Sequence, residues 1–338
     1  MASYLHRTGF RSTLVSKAST LHPHSNTQFT SIPFPTRQCL RHQHYHVSCF
    51  PQSLPLKAAA TSIQCSLSSP NPPSSKEEAI LQAKTSLSTT LEKPLNNPKM
   101  IGKLKKLKQP KVRVEIPVVD DSPDAISQLA FEVFGDMPIK RKGSPIKILI
   151  LWPNPSLKEA ATEAFQSQSP GQVELLDIPS ISKTDTRILN SADVAVFMVP
   201  EASQLSQMKT LTDVFYPKPV VIFNPKWTYE EEENFGDLNG FVGSFDVVYS
   251  FMGLEVRGVL SKRKGVIFKC VRDGVVSGER WNVLVEEKGE LTVVSTFKAR
   301  PSIGEVETVL YNLMAINSPV TKSAKFLKDL VSNVTGKK

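Results

Sequence analysis

The sequence predicts an α/β fold built on a doubly wound, largely parallel sheet that is extended or followed by an antiparallel meander, with two C-terminal helices. Three observations support this prediction. Strand-like and helix-like hydrophobic patterns alternate between residues 112 and 223, four strand-like segments follow between residues 246 and 297, and two helical patterns end the chain. Alternating strands and helices with short connections require right-handed crossovers, which produce a parallel sheet.

The first strand–helix unit shows this pattern clearly. Residues 112–118 have the composition of a strand, and Asp121, Ser122 and Pro123 are typical of the start of a helix. The apolar residues of that helix recur at i, i+3, i+4, i+7 and i+8, as expected of one buried face. They are Ile126, Leu129, Ala130, Val133 and Phe134.

The following units repeat the alternation. Residues 146–152 are nearly all apolar, as expected of a strand that is covered on both faces. The same helical spacing returns over residues 157–165. Further strands are predicted at 173–178, 194–199 and 220–223, and further helices at 184–189 and 205–215.

Beyond Phe245 the pattern changes to successive strands. They are predicted at residues 246–256, 266–271, 281–287 and 291–297, and their links contain the turn signals 262–265, 273–274 and 288–289. These strands extend the parallel sheet or form a second small sheet. Apolar residues at helical spacing then predict helices over 303–313 and 327–334.

The first 65 residues have the composition of a chloroplast transit peptide. Residues 1–75 contain six Lys or Arg and no Asp or Glu, and they are rich in Ser and Thr. No apolar run is long enough for a secretory signal. Ser-rich, Pro-interrupted sequence favours the chloroplast over the mitochondrion, and Cys65 followed by Ser66 resembles a stromal processing site. We therefore expect a stromal protein that begins near Ser66.

The net charge of +9 comes mostly from this N-terminal segment, since 35 basic and 32 acidic residues follow it. All six histidines and three of the four cysteines also lie there, which leaves only Cys270 in the rest of the chain. This distribution excludes a His-dependent catalytic triad, a His or Cys zinc site and an intrachain disulfide from the folded part. We predict no metal, no cofactor and no transmembrane span.

Residues 66–110 are predicted to be a flexible linker before a single domain at 111–335. Residues 76–92 can form a helix with a thin apolar stripe. A basic segment, residues 99–113, has seven Lys or Arg and no acid. It can form an amphipathic helix that contacts a thylakoid surface or an acidic protein, or it is only a solvated linker. The lysines expected to make this contact are Lys103, Lys105, Lys106 and Lys108.

Polar residues beside prolines follow three of the predicted parallel strands. In an open parallel sheet, ligands bind beyond the carboxyl ends of the strands. We therefore predict a pocket rim there, although each proline can simply end its strand while the polar residue caps the next helix. The candidate rim residues are Asn154, Asp177, Glu201, Asn224, Lys226 and Trp227.

Other motifs give no catalytic assignment. The chain has no glycine-rich nucleotide loop of either common type. The run Glu230–Glu233 follows Thr228, so its carboxylates are explained by the dipole of a helix that begins there. Cys270 lies within an apolar strand and is expected to be a buried, inert thiol. We predict no catalytic residue and no specific nucleic-acid contact.

Four short motifs stand out in the sequence: residues 114–117 (VEIP), 148–154 (ILILWPN), 221–227 (VIFNPKW) and 280–284 (RWNVL). Together they resemble the plant and cyanobacterial family known as domain of unknown function 1995. Plant members include the low photosystem II accumulation proteins, which have a transit peptide followed by this domain and are implicated in photosystem II assembly. The family has no established catalytic residues.

This resemblance implies a non-catalytic, stromal and thylakoid-associated auxiliary factor for photosystem II assembly or accumulation. Its implied partners are photosystem II core subunits or other assembly factors. The alternative is a protein or enzyme that binds a small molecule or a phosphate ligand at the strand ends.

Overall fold

The computed structural model describes residues 27–28, 71–97, 100–101, 106–118, 120–166, 172–183, 186–257, 262–287 and 289–317. Within them, nine strands form one mixed sheet, to which Thr27–Gln28 adds a short antiparallel pairing with Glu255 and Val256. The strands are β1 Lys111–Glu115, β2 Ile148–Trp152, β3 Val173–Asp177, β4 Val194–Met198, β5 Val220–Phe223, β6 Asp246–Arg257, β7 Lys262–Cys270, β8 Trp281–Glu287 and β9 Glu290–Phe297.

The strand order is β9-β8-β7-β6-β1-β5-β4-β2-β3. The six strands from β6 to β3 are parallel, and β7, β8 and β9 continue from β6 as an antiparallel meander. The predicted α/β class is therefore confirmed, and the meander extends the parallel sheet instead of forming a second one. Gly289, at φ +83°, allows the tight hairpin between β8 and β9.

Seven helices accompany the sheet within the described residues. Ser122 caps the second helix, because its side chain accepts a hydrogen bond from the backbone of Ala125, and Pro123 occupies the first turn as predicted. The helices are α1 Lys76–Asn96, α2 Pro123–Phe134, α3 Pro155–Ala164, α4 Thr186–Ser191, α5 Leu205–Val214, α6 Asn239–Val242 and α7 Ile303–Asn317.

One face of the sheet packs against α1, α2 and α3 in a continuous apolar core. Helix α1 was expected to lie in a flexible linker, and that interpretation is wrong for its residues. Ala79, Ala83 and Ser86 are almost fully buried together with Leu87 and Leu91. Small side chains let the helix backbone approach the sheet closely, so a thin stripe of large apolar residues is sufficient. The folded unit therefore includes α1.

The opposite face carries two separate apolar clusters. The first packs β2, β4 and β5 against α5 and includes Trp227, Phe241 and Phe245. The second packs the meander against α7 through Trp281, Val306 and other residues. Strand β1 and the adjoining part of β6 lie between these two apolar clusters. Buried charged side chains can therefore occupy the space between the clusters.

Two local predictions differ from the structure. Residues 262–265 were expected to form a turn, but they belong to β7 and pair with Leu254–Arg257 of β6. In the basic segment, Met100–Ile101 pairs antiparallel with Lys106–Leu107, so these residues are extended and not helical. Four predicted features lie outside the described residues. They are the predicted second C-terminal helix, the predicted transit peptide apart from residues 27–28, and the candidate contact residues Lys103 and Lys105. Among the helices described, none combines the length and apolar character needed to cross a membrane.

Candidate functional site

A cavity of about 350 Å³ lies at the carboxyl ends of the central parallel strands. We call it the strand-end cavity. Its walls come from β1, β6 and α2, from the residues after β1, β4 and β5, and from the link between β9 and α7. They are Arg113, Glu115, Ile116, Val118, Asp121, Ile126, Val199, Asn224, Pro225, Lys226, Trp227, Tyr229, Met252 and Arg300.

Glu115, at the end of β1, is the centre of the polar part of this cavity. Both Nη atoms of Arg300 donate to its carboxylate at 3.1 Å, and Ser250 Oγ donates to Oε2 at 2.6 Å. Nε of Arg113 lies 2.7 Å from its Oε1. All four side chains are buried or nearly so. The carboxylate therefore has two charged partners and one neutral partner within the protein.

These contacts control the pKa of both Glu115 and Arg113. Burial by itself raises the pKa of Glu115, but Arg113, Arg300 and the hydrogen bond from Ser250 outweigh it and lower the pKa to about 2. Burial lowers the pKa of Arg113, but Glu115 and Glu232 outweigh it and raise that pKa above its ordinary value. Both groups are consequently ionised throughout the physiological pH range.

A second carboxylate, Glu232, completes the pairing of Arg113. Nη1 of Arg113 forms an ion pair with Glu232 Oε1, which also accepts a hydrogen bond from Trp227 Nε1 at 3.2 Å. Glu232 belongs to a 3₁₀ helix, Glu230–Asn234, that begins with a reciprocal cap between Thr228 and Glu231. We call Arg113, Glu115, Glu232 and Arg300 the buried charge cluster.

Arg300 is positioned by aromatic rings as well as by Glu115. Its guanidinium carbon lies 4.6 Å from the ring centre of Tyr229 and 5.3 Å from that of Trp281. Cation–π contacts of this kind favour a desolvated arginine. Because Arg300 lies between β9 and α7, it links the meander side of the sheet to the central parallel strands.

Two residues at the cavity have left-handed backbone conformations. Val199 has φ +42° and Asn224 has φ +47°. The Asn224 side chain bonds to both backbone groups of Ile116, with Oδ1 accepting at 2.7 Å and Nδ2 donating at 2.9 Å. Asn tolerates this conformation, whereas a β-branched residue such as Val199 is strained there by roughly 1–3 kcal/mol. The rim is therefore held in an unfavourable backbone geometry by the surrounding fold.

The structure divides the six candidate rim residues into two groups. Asn224, Lys226 and Trp227 line the strand-end cavity. Glu201, Asn154 and Asp177 are not among its lining residues. Nζ of Lys226 lies 3.6 Å from Oε1 of Glu201, and both side chains are nearly half exposed.

The remaining two candidates have local structural roles. Asn154 caps α3, because its Oδ1 accepts from the backbone nitrogen of Leu157 at 3.0 Å. Asp177 is buried and accepts from the Ser180 backbone nitrogen at 3.0 Å and from its hydroxyl at 2.6 Å. The role of Asn154 is the helix cap that was the predicted alternative to a binding role, whereas the turn at Asp177 was not predicted.

The buried charge cluster was not predicted from the sequence. Arg113 and Glu115 alternate with Val112 and Val114 in β1, which is the pattern of a strand with one solvated face. Because β1 is central in the sheet, both charged residues are buried instead. Had β1 been predicted as a central strand, its two charged residues would have been expected to be buried and therefore to need charged partners.

The other candidate features are less informative. Lys108 is exposed just before β1, while Lys106 takes part in the short antiparallel pairing. Cys270 is buried near Ser86, and burial raises the pKa of its thiol, as expected of an inert cysteine. In the part of the chain that the structure describes, His, Cys, Asp and Glu residues form no group that could hold a metal ion.

Comparison with models of known families matches residues 73–308 to one family, the domain of unknown function DUF1995. The matched region begins just before α1 and ends within α7. It therefore includes the whole sheet from β1 to β9 and the strand-end cavity. A search of curated proteins found no match.

Proposed function

Because the chain belongs to the DUF1995 family, as a match over more than half of its length shows, we propose that it is a non-catalytic auxiliary factor for photosystem II assembly or accumulation. The resemblance of four short motifs to this family, whose plant members include the low photosystem II accumulation proteins, supports this proposal. The acid-free N-terminal segment supports action in the chloroplast stroma. The partners would be photosystem II core subunits or other assembly factors.

The state of the buried charge cluster supports binding over acid–base chemistry. A general acid or base works best when its pKa lies near the operating pH. Glu115 has a pKa of about 2 and is bonded to two arginines and a serine, so it neither gives nor takes a proton under physiological conditions. Its role is to hold Arg113 and Arg300 in place.

Loss of the protein from a plant tests the proposed function. Photosystem II core subunits should fall in abundance relative to photosystem I subunits, and the intact chain should restore them. Equal abundance of both photosystems without the protein would contradict the proposal. Co-purification from solubilised thylakoids should then identify the partner.

Peripheral attachment to the thylakoid is proposed for the basic segment. Each basic residue near an anionic membrane contributes on the order of 1 kcal/mol, and salt screens this attraction. Replacing Lys103, Lys105, Lys106 and Lys108 by Gln should shift the protein to the soluble fraction, as high salt should. A matched control replaces four lysines elsewhere: Lys93, Lys140, Lys147 and Lys158. If both variants sediment with thylakoids as the parent does, attachment does not depend on the basic segment.

The strand-end cavity favours a second candidate function, the binding of a small molecule. Its volume of about 350 Å³ lies within the usual range of ligand sites, and it opens where parallel sheets bind their ligands. A thermal-shift screen of the full chain with nucleotides, sugar phosphates and pigment precursors tests this function. A ligand at a hundred times its Kd should stabilise the fold by about 2.7 kcal/mol.

A further inference from the structure

We propose that the strand-end cavity binds a small amphipathic anion, with an apolar body against the cavity wall and a single oxyanion group that meets Arg113 and Lys226. This inference rests on the second proposed function, ligand binding, and specifies the chemistry of the ligand. It follows from the wall of the cavity, from the hydrogen-bonding state of its charged groups and from the geometry of its rim.

The wall favours an apolar ligand body. Ile116, Val118 and Ile126 line the side next to α2, and Met252 lines the side formed by β6. Trp227 and Tyr229 add aromatic rings. Ligand sites commonly combine such a wall with a few convergent polar groups. A purely polar ligand would place its hydrogen-bonding groups against this apolar wall, where they would find no partners.

The two carboxylates of the buried charge cluster are already paired, and Asp121, the other acidic residue that lines the cavity, is exposed. Both oxygens of Glu115 accept from Arg300, one of them also accepts from Ser250, and Arg113 lies beside it. Oε1 of Glu232 is likewise occupied, by Arg113 and Trp227. A cationic ligand would have to compete with two guanidinium groups for these carboxylates.

The donors that remain are cationic. Nε and Nη1 of Arg113 face Glu115 and Glu232, and the Arg113 side chain also lines the strand-end cavity. Lys226 has one long ion pair, 3.6 Å from Glu201, and its side chain is 43% exposed. A carboxylate, sulfonate or phosphate group is the ligand chemistry that suits these two cationic lining side chains.

The rim geometry is consistent with a preorganised site. Val199 and Asn224 border the cavity in left-handed conformations, and Asn224 is fixed by its two bonds to Ile116. Strained backbone of this kind concentrates at ligand-binding sites, where the surrounding fold maintains it. In the present case it sets the direction of the chain that carries Lys226 and Trp227.

Two dyes with the same aromatic body test whether the cavity prefers an anionic ligand. 1-Anilinonaphthalene-8-sulfonate carries one sulfonate, and N-phenyl-1-naphthylamine is the same body without it. Fluorescence titration of the full chain at neutral pH should give at least tenfold tighter binding of the sulfonate dye. Its affinity should fall as salt is raised, while that of the neutral dye should not.

Variants locate the binding and separate the possible failures. Lys226→Met should weaken the sulfonate dye roughly fivefold and leave the neutral dye unchanged, since it removes one half-exposed charge contact. Lys209→Met, which removes an exposed lysine of α5, is the matched control and should change neither. Val118→Trp should fill the cavity and abolish binding of both dyes, with melting curves confirming that each variant is folded.

Each contrary result has a distinct meaning. If neither dye binds the parent chain, the ligand-binding function itself fails. If both bind equally and Val118→Trp abolishes both, the cavity binds ligands but the inferred anion preference is wrong. If Val118→Trp leaves the sulfonate dye bound, the dye occupies another surface and the proposal is overturned.

Discussion

Replacement of Glu115 by Gln should destabilise the fold at neutral pH far more than the loss of an ordinary surface carboxylate. Gln has nearly the same shape and can still accept hydrogen bonds, so the main change is the removal of one buried negative charge. Arg113 and Arg300 would then keep their positive charges with only Glu232 to balance them. Leaving a buried charge without its partner is among the costly single substitutions.

The lowered pKa of Glu115 gives the size of the expected loss in the free energy of unfolding. This pKa falls from 4.5 to about 2 in the folded protein. Each pKa unit corresponds to about 1.4 kcal/mol, so the ionised carboxylate stabilises the fold by about 3 kcal/mol at neutral pH. This value agrees with the roughly 3–5 kcal/mol typical of a broken buried ion pair.

The pH dependence provides an independent check. Because folding lowers the pKa, the stabilisation is complete above pH 4.5 and is lost as the pH falls through about 2. At about pH 3, less than half of it should remain. Urea unfolding of parent and variant, followed by tryptophan fluorescence, should therefore show two stability curves that converge on acidification.

Asp213→Asn is the matched control, because Asp213 pairs with Lys209 at 3.1 Å on the exposed surface of α5. Such a pair contributes only about 0.3–0.5 kcal/mol. If Glu115→Gln costs no more than Asp213→Asn, or if its deficit is the same at pH 7 and pH 3, the carboxylate is not the stabilising charge that its contacts indicate.

Three further predictions concern the rim, the metal content and the N-terminus. Asn224→Gly and Asn224→Ala should both lower the free energy of unfolding measured in urea, because both lose the hydrogen bonds to Ile116. Ala should cost about 1 kcal/mol more than Gly, since Ala disfavours positive φ. Equal losses would mean that backbone strain is unimportant at this position. Chelator and reductant should leave the melting temperature unchanged, and a large drop with chelator would reveal a carboxylate metal site. Mass spectrometry of the protein from chloroplasts should find an N-terminus near Ser66, and an intact residue 1 would refute the transit peptide.

Much of the fold could be predicted from local pattern. Strands β5 and β8 have their predicted bounds, and α2 begins at its predicted cap. The role of α1 could not be predicted in the same way. Its burial depends on Ala79, Ala83 and Ser86, whose small side chains contribute little to any hydrophobic pattern. Their importance appears only once the sheet beneath them is known.

The position of the cavity was partly predictable, and the charges beside it were not. Prolines and polar residues at strand ends indicated the edge of the sheet where the structure has a cavity, and Asn224, Lys226 and Trp227 line it. The buried charge cluster depends on contacts between distant parts of the chain. Glu232 looked like a helix-dipole residue, and Arg300 carried no motif. Neither residue could be assigned to Glu115 or Arg113 without the strand order.

The link between Glu115 and Arg300 also has a consequence for how the chain folds. These residues are 185 positions apart in the chain. In addition, β6 must pair with β1 before the sheet is continuous, and β6 follows all the other parallel strands in the chain. Contacts of such long sequence separation form slowly, because a large loop must be closed first. During synthesis, Glu115 therefore lacks one of its two arginine partners until residue 300 has been added to the chain. Completion of the fold should be a late event that requires nearly the whole domain.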